Sequence, residues 1–80
     1  MKVLFYGRLA EAIGPELELD APAGSSVAEL RERLAANHPA AREALRSTRA
    51  RACVGDKLVG DDFVVSPSEA VEFLPPVSGG

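Results

Sequence analysis

The last six residues of the chain combine residue types and an order that could do chemistry. They read Pro75-Pro76-Val77-Ser78-Gly79-Gly80. Two prolines fix φ and remove two backbone donors, so neither a helix nor a central strand can continue through them. Glycine lets a backbone approach another surface at points where a Cβ would collide. We therefore expect an extended segment that presents the carboxylate of Gly80 on a thin tether able to enter a narrow channel.

A pair of glycines at a chain end is weak evidence by itself. Chain ends ordinarily fray, and that interpretation competes with a functional tail. The choice between the two depends on the residues that precede the tail.

Length and composition restrict the kinds of protein that this chain can be. Eighty residues allow one domain. A net charge of −3 and a pI near 5.0 argue against nucleic acid or an anionic membrane as the ligand, because both attract basic surfaces. The single cysteine, Cys53, cannot form an internal disulfide, which fits a reducing cytosol. Without a signal-peptide pattern or an apolar run of ~18 residues, we expect a cytoplasmic location.

The beginning of the chain predicts a β-hairpin. Val3–Tyr6 is a continuous apolar run, which is typical of a central strand with apolar contacts on both faces. Glu16–Asp20 alternates leucines with acids and predicts a half-buried strand. The two strands would pair across the Arg8–Pro15 connection.

A helix follows, and the remaining segments are shorter. Ser26 and Glu29 have the spacing of a capping box, and the helix is expected to end near Asn37-His38, before a proline. Its apolar stripe is Val27, Leu30 and Leu34. The other expected elements are a second short helix in Ala40–Leu45, a hairpin of Arg51–Val54 with Lys57–Val59 around Gly55-Asp56, and a last strand, Val71–Leu74. Phe63–Val65 fits either a short strand or a crossing loop.

This order of elements predicts a two-layer α+β domain over residues 1–74, with residues 75–80 as its tail. One main helix must cross one face of a mixed sheet of four to five strands to bury its apolar stripe. If the last strand runs parallel to the first, both are central, and Val71 and Phe73 point toward the helix.

These elements resemble the ubiquitin-like β-grasp fold, and the ending resembles one family within it. The segment from Val71 to Gly80 is similar to the end of the small subunits of molybdopterin synthase, which finish with an apolar strand, two prolines, a valine, a small hydroxyl residue and diglycine. Lys2–Gly7 and the helix from Ser26 to Leu34 also match the family pattern. Departures occur at two turns, Gly55 and Pro67–Ala70, where loop geometry is expected to differ more than chemistry.

The resemblance implies a sulfur carrier. A ubiquitin-activating-type enzyme would use ATP to adenylate Gly80, and a sulfur donor protein would convert it to a thiocarboxylate. The tail, Pro75, Pro76, Val77, Ser78 and Gly79, would thread into the large subunit, where the sulfur passes to a cyclic pterin precursor. The family also implies a complex of two large and two small subunits. The small subunit would contribute no metal, no general base and no stably bound cofactor.

Three other functions remain open from the sequence. They are a sulfur carrier for the thiazole of thiamine, a protein modifier conjugated through Gly80, and a β-grasp interaction domain with an inert tail. Cys53 is expected to be a small buried hydrophobe, with a sulfur-relay role as the alternative. His38 is expected to cap a helix or face solvent, and Asp61-Asp62 to form a hydrated turn. Arg42, Arg46, Arg49 and Arg51 form either a solvated face or a surface for an acidic partner.

Leu4, Tyr6 and Leu74 form a candidate partner-binding patch. If Phe5, Val71 and Phe73 face the helix, these three residues lie on the opposite side of the sheet, and the chain has only one helix of useful length. An apolar patch left exposed on a small domain usually marks a partner site. The alternative is that loops cover it.

Overall fold

A computed structural model of the protein describes residues 1–47 and 49–75. Its strands are β1 (Lys2–Phe5), β2 (Glu16–Glu18), β3 (Arg51–Val54), β4 (Lys57–Val59) and β5 (Val71–Leu74). Its helices are α1 (Gly7–Ile13), α2 (Val27–Asn37) and α3 (Arg42–Arg46), and a short 3₁₀ helix, Pro39–Ala41, precedes α3. The predicted second helix is therefore confirmed as a 3₁₀ turn that continues into α3.

The five strands form one mixed sheet in the order β2-β1-β5-β3-β4. β5 runs parallel to β1 and antiparallel to β3, and each outer strand pairs with its neighbour as a hairpin. The strand that leads into the tail is therefore the middle strand of the sheet. The predicted α+β fold and the parallel pairing of the first and last strands are confirmed.

The main helix α2 begins and ends where the sequence predicts. The Ser26 hydroxyl accepts from the Glu29 amide at 3.2 Å, and the Ser26 amide donates to the Glu29 carboxylate at 2.9 Å. These hydrogen bonds hold the pKa of Glu29 below its usual value. The predicted stripe of Val27, Leu30 and Leu34 is fully buried against one face of the sheet.

The connection between β1 and β2 differs from the sequence prediction, because it contains the helix α1. Leu9 is buried in the same core as Leu30 and Leu34, so α1 packs on the face of the sheet that α2 covers. The sequence prediction of one main helix holds, but it did not include α1, which lies on the same face as α2 and leaves the opposite face open. Phe63–Val65 is a crossing loop, in which Val64 makes a single bridge to Ser26.

β1 is an inner strand, as its apolar run predicts, but only one of its faces is covered by the described residues. Val3 and Phe5 are buried, whereas Leu4 is half-buried. Tyr6 lies just beyond β1 and is 40% exposed. The expectation that apolar contacts cover both faces was therefore wrong, and the outward-facing residues are open to a partner.

Candidate functional site

Pro75 is the root of the predicted tail, and it packs against Gly7. A Cβ built on Gly7 would lie 3.0 Å from Cβ and 3.1 Å from Cγ of Pro75, and Gly7 has a φ of +61°, which favours glycine. The first residue of the tail is thus seated against the start of α1. The other predicted tail residues, Pro76, Val77, Ser78, Gly79 and Gly80, lie outside the described residues.

The strand that carries Pro75 is held by aromatic packing on its inner face. Val71 and Phe73 are fully buried, and the ring of Phe73 stacks on Phe5 with centroids 6.0 Å apart. β5 also pairs with β1 on one side and with β3 on the other. The tail therefore leaves from an inner strand whose alternate side chains are anchored in the core.

Arg31, on α2, carries a charge into the core above this strand. Its guanidinium carbon lies 5.3 Å from the centroid of the Phe73 ring, and its side chain is 7% exposed. It donates to the Asp61 carboxylate at 2.9 Å and to the backbone carbonyls of Leu45 (2.7 Å), Ser47 (3.1 Å) and Ala50. One side chain thus ties α2 to the end of α3, to the segment before β3 and to the turn after β4.

The sequence interpretation missed Arg31, although a signal was available. Arg31 lies four residues after Val27 and three before Leu34, on the same face as the predicted apolar stripe. A charged residue at a core position of a stripe indicates a buried partner. The buried partners are the carbonyls of Leu45 and Ala50. Asp61 is exposed in a turn, as expected for a hydrated residue, and also forms a salt bridge to Arg31.

The opposite face of the sheet carries one row of side chains across all five strands. The register places Glu16, Leu4, Glu72, Cys53 and Leu58 side by side in that order. The next row along contains Leu74, whose register partner is Arg51. We call this surface, with Tyr6, the open face, because its residues are half-buried or exposed, except for the buried Cys53.

The three residues of the predicted patch all lie on the open face. Leu4 and Leu74 are half-buried on neighbouring strands, and Tyr6 follows β1 directly. Leu58 is also part of this face and is 55% exposed. The geometry expected from strand alternation is thus present, while a partner for the patch remains a prediction.

A hydrogen bond joins two polar groups within this apolar surface. The Tyr6 hydroxyl donates to Oε2 of Glu72 at 2.6 Å, across 66 residues of sequence. This bond is the main cause of a pKa of Tyr6 above its ordinary value, with a further contribution from the nearby Glu72 charge. This pair has no signal in the sequence, because it depends on the parallel register of β1 and β5.

An open groove of about 500 Å³ lies beside the root of the tail. Gly7, Leu9, Ala44, Ala50 and Pro75 give it an apolar surface, and Arg8, Ser47 and Arg49 also line it. Another member of the predicted basic cluster, Arg46, pairs with Glu32 on α2 through contacts of 2.7 and 3.0 Å. Arg46 is therefore paired within the chain at the surface, whereas Arg49 lines the groove.

The surroundings of Cys53 and His38, the two other residues considered above, indicate structural roles. Cys53 is a buried free thiol on β3, and His38 is the C-terminal cap of α2. Within residues 1–47 and 49–75, no group of three or more His, Cys, Asp or Glu side chains could hold a metal ion. In the same described part of the chain, no helix is long and apolar enough to cross a membrane.

Solved structures with this arrangement of strands and helices are ubiquitin-like β-grasp proteins. SAMP1 from Haloferax volcanii superposes with a TM-score of 0.84 at 19% identity, over 99% of this chain and 97% of the other. A Pyrococcus furiosus protein provisionally named molybdopterin converting factor subunit 1 gives 0.79 at 23% identity, over 95% of each chain. Urm1 from Trypanosoma brucei gives 0.69 at 20% identity, over 99% and 93%. These similarities establish the fold.

Sequence comparison establishes the family. The chain is 32% identical to the molybdopterin synthase sulfur carrier subunit of Escherichia coli (strain K12) over 80 residues, which cover 100% of this chain and 99% of that protein. The sequence profile of the ThiS family matches residues 3–80, a range that includes the whole tail. The chain belongs to the ThiS family.

Proposed function

We propose that this chain is the sulfur carrier of a molybdopterin synthase and acts as its small subunit. The observation that carries the proposal is the whole-length similarity to the Escherichia coli sulfur carrier subunit, together with the Pro-Pro-Val-Ser-Gly-Gly ending. The family match extends through Gly80. The reactive group would be the carboxyl of that glycine.

The chemistry follows from the poor reactivity of a carboxylate, which has no good leaving group. An activating enzyme would join Gly80 to the AMP of ATP and release pyrophosphate. Sulfur delivered from a donor protein at the oxidation level of sulfide (HS⁻) would then attack the acyl carbon and expel AMP, which leaves a thiocarboxylate. In the large subunit, this sulfur would attack a cyclic pterin precursor, and two carriers would be needed for each dithiolene.

The folded body supports this role by fixing where the tail starts. β5 is the middle strand, Phe73 is anchored in the core, and Pro75 rests on Gly7. A tail that starts from a fixed point searches less space for its target. Orientation of reacting groups contributes up to about 7–11 kcal/mol in favourable systems, so positioning alone is a substantial contribution from a subunit without its own acid or base.

The open face would bind the partners that receive the tail. We propose that Leu4, Tyr6 and Leu74 contact the large subunit in an assembly of two large and two small subunits. The ATP-dependent activating enzyme and the sulfur donor would be further partners. We place these reactions in the cytoplasm, which fits the free thiol of Cys53.

Intact-mass measurement tests the chemistry directly. The chain is incubated with the activating enzyme, ATP and a sulfur donor, and fragmentation locates any modification. We expect one oxygen to be replaced by sulfur at Gly80. The matched control is a variant that ends at Ser78, which should gain no sulfur and support no dithiolene formation.

Other outcomes of the same experiment would contradict the proposal. Sulfur on Cys53 instead of the terminus would indicate a relay protein. Isopeptide adducts on lysines of other proteins, without thiocarboxylate, would indicate a protein modifier. Full activity of the variant that ends at Ser78 would show that the tail is inert.

The contribution of the patch is tested separately. Leu74→Asp should weaken binding to the large subunit without unfolding the isolated domain, because the residue is half-buried on the open face. Ala36→Asp places the same charge on the exposed side of α2 and serves as the control. Equal affinities for the two variants would exclude the open face as the docking surface.

A further inference from the structure

Glu72 occupies the centre of the open face. It lies on β5, the middle strand, with Leu4 beside it on β1 and Cys53 beside it on β3. Leu74 is two residues further along the same strand and the same face. A carboxylate is therefore surrounded by the side chains that make this surface apolar.

The described part of the protein meets only part of the hydrogen-bonding capacity of Glu72. An ionised carboxylate has two oxygens and about four acceptor positions. Within residues 1–47 and 49–75, the Tyr6 hydroxyl is the one donor to this group, and it reaches Oε2. Water can satisfy the remaining positions while the face is open, but a partner that covers the face removes that water.

Burial without a new donor would oppose binding. A carboxylate that loses its water is strongly destabilised unless it is paired and hydrogen-bonded. The neutral phenol of Tyr6 orients the carboxylate and leaves its charge uncompensated. A partner surface that was apolar throughout would therefore fit Leu4 and Leu74 but not the residue between them.

We propose that the partner covering the open face presents an arginine or lysine side chain to Glu72, and that Tyr6 holds the carboxylate in position for it. The inference rests on the proposed function, in which the partner is the large subunit of molybdopterin synthase. It adds a charged specificity contact between the apolar side chains of Leu4 and Leu74. Charge-assisted hydrogen bonds of this kind are shorter and stronger than neutral ones.

The charges around Glu72 also favour a cation. Asp56 and Glu69 line a shallow groove on this side of the sheet together with Leu4 and Glu72. Two further carboxylates therefore lie on the same groove as Glu72, and the chain has a net charge of −3. A basic group would therefore be attracted as it approaches, and charge complementarity of this type also raises association rates.

A second copy of this chain is a competing occupant. Arg51 is exposed on the same face, beside Leu74. In a symmetric dimer, Arg51 of each copy could approach Glu72 of the other. The heterologous partner is favoured by the full-length similarity to a synthase subunit, and the two occupants are separated by experiment.

The test measures binding of the large subunit of the same organism by titration calorimetry, with the intact 80-residue chain. Glu72→Gln keeps the size of the side chain and its acceptor for Tyr6 but removes the charge. We expect Kd to rise roughly thirtyfold or more, as for loss of one member of a buried charged pair. Glu11→Gln, on the exposed surface of α1, makes the same change in net charge and should leave Kd unchanged.

The direction in which Kd changes on substitution of Glu72 distinguishes a cationic partner group from the alternatives. Without a cation on the partner, Glu72→Gln and Glu72→Leu would bind equally or more tightly, since both reduce the cost of covering the carboxylate, and this result overturns the inference alone. Failure of the wild-type chain to bind the large subunit overturns the proposed function and the inference with it. Self-association of the wild-type chain that Arg51→Gln abolishes would assign the face to a second copy and also overturn the inference.

Discussion

Each face of the sheet has a charged side chain next to the apolar residues of the central strand, and the two charges have different partners. On the covered face, Arg31 lies above Phe73 and donates to one carboxylate and three backbone carbonyls. On the open face, Glu72 lies between Leu4 and Cys53 and receives a hydrogen bond from Tyr6. A charge whose partners are all internal stabilises the fold. A charge with one internal partner is available for recognition.

The comparison is sharpest for two neighbouring residues of β5. Phe73 is fully buried and stacks on Phe5, so Phe73→Ala should cost about 3–5 kcal/mol of unfolding free energy. Leu74 points to the open face and is half-buried, so Leu74→Ala should cost about 1 kcal/mol. Urea denaturation followed by far-ultraviolet circular dichroism measures both values.

The larger change approaches the total stability of the domain, which is about 4–12 kcal/mol for 80 residues. If Phe73→Ala does not fold, Phe73→Leu provides a measurable intermediate, because it keeps much of the buried volume. Equal losses at Phe73 and Leu74 would show that the open face is packed as tightly as the covered one. That result would remove the basis for a docking surface there.

Removal of the buried charge is expected to have the next largest effect. Arg31→Met keeps most of the side-chain volume but leaves the carbonyls of Leu45 and Ala50 without their donor, so we expect a loss of about 3 kcal/mol. Arg33→Met on the exposed side of the same helix should change stability by less than about 0.5 kcal/mol. Similar denaturation midpoints for the two variants would mean that Arg31 does not join these elements.

The root of the tail offers a smaller effect with a clean control. Gly7 and Gly55 have nearly the same φ, +61° and +57°, but a Cβ on Gly7 meets Pro75, whereas a Cβ on Gly55 has open space. Both alanine variants should lose about 1–2 kcal/mol from left-handed backbone strain. Only Gly7→Ala should also slow sulfur transfer in the reconstituted synthase, because it moves the start of the tail. Equal transfer rates for the two variants would contradict a positioning role for the Gly7–Pro75 contact.

Local patterns in the sequence predicted most of the fold. The capping box of Ser26 and Glu29, the stripe of α2 and the Gly55-Asp56 turn each involve residues within a few positions of one another. Helix α1 was missed because its start lacks a side-chain cap, as Tyr6 makes no capping bond, and because its first residue, Gly7, is a glycine. Its residues nevertheless include good helix formers.

The site was less predictable because its key contacts join distant parts of the chain. Alternation along β1 and β5 predicted that Leu4 and Leu74 share a face, but not that this face stays open. The hydrogen bond from Tyr6 to Glu72 depends on strand register. The contacts of Arg31 depend on where the end of α3, the segment before β3 and the turn after β4 meet. Nonlocal geometry of this kind has no short-range signal in a single sequence.

The smallest expected effect concerns the open face alone, and the chain provides a clean probe. Tyr6 is the only tyrosine and the chain has no tryptophan, so ultraviolet absorbance in alkaline solution reports ionisation of this one phenol. Its bond to the Glu72 carboxylate should place the pKa of Tyr6 above the ordinary value of 10.0. In Glu72→Gln, the acceptor is neutral, so the pKa should fall back toward that value.

The dependence of folding stability on the ionisation of Tyr6 has a definite sign. A phenol whose pKa is raised by folding contributes stability at pH values below its unfolded pKa, and this contribution is lost as the pH rises through the folded pKa. The wild-type chain should therefore lose more stability than Glu72→Gln above pH 10.0, while Glu11→Gln should follow the wild type. Identical tyrosine titrations in wild type and Glu72→Gln would show that the phenol does not hold this carboxylate in solution. The Glu72 carboxylate would then not be oriented before a partner binds. Unlike Arg31 on the covered face, it would have neither a fixed position nor an internal hydrogen-bond partner.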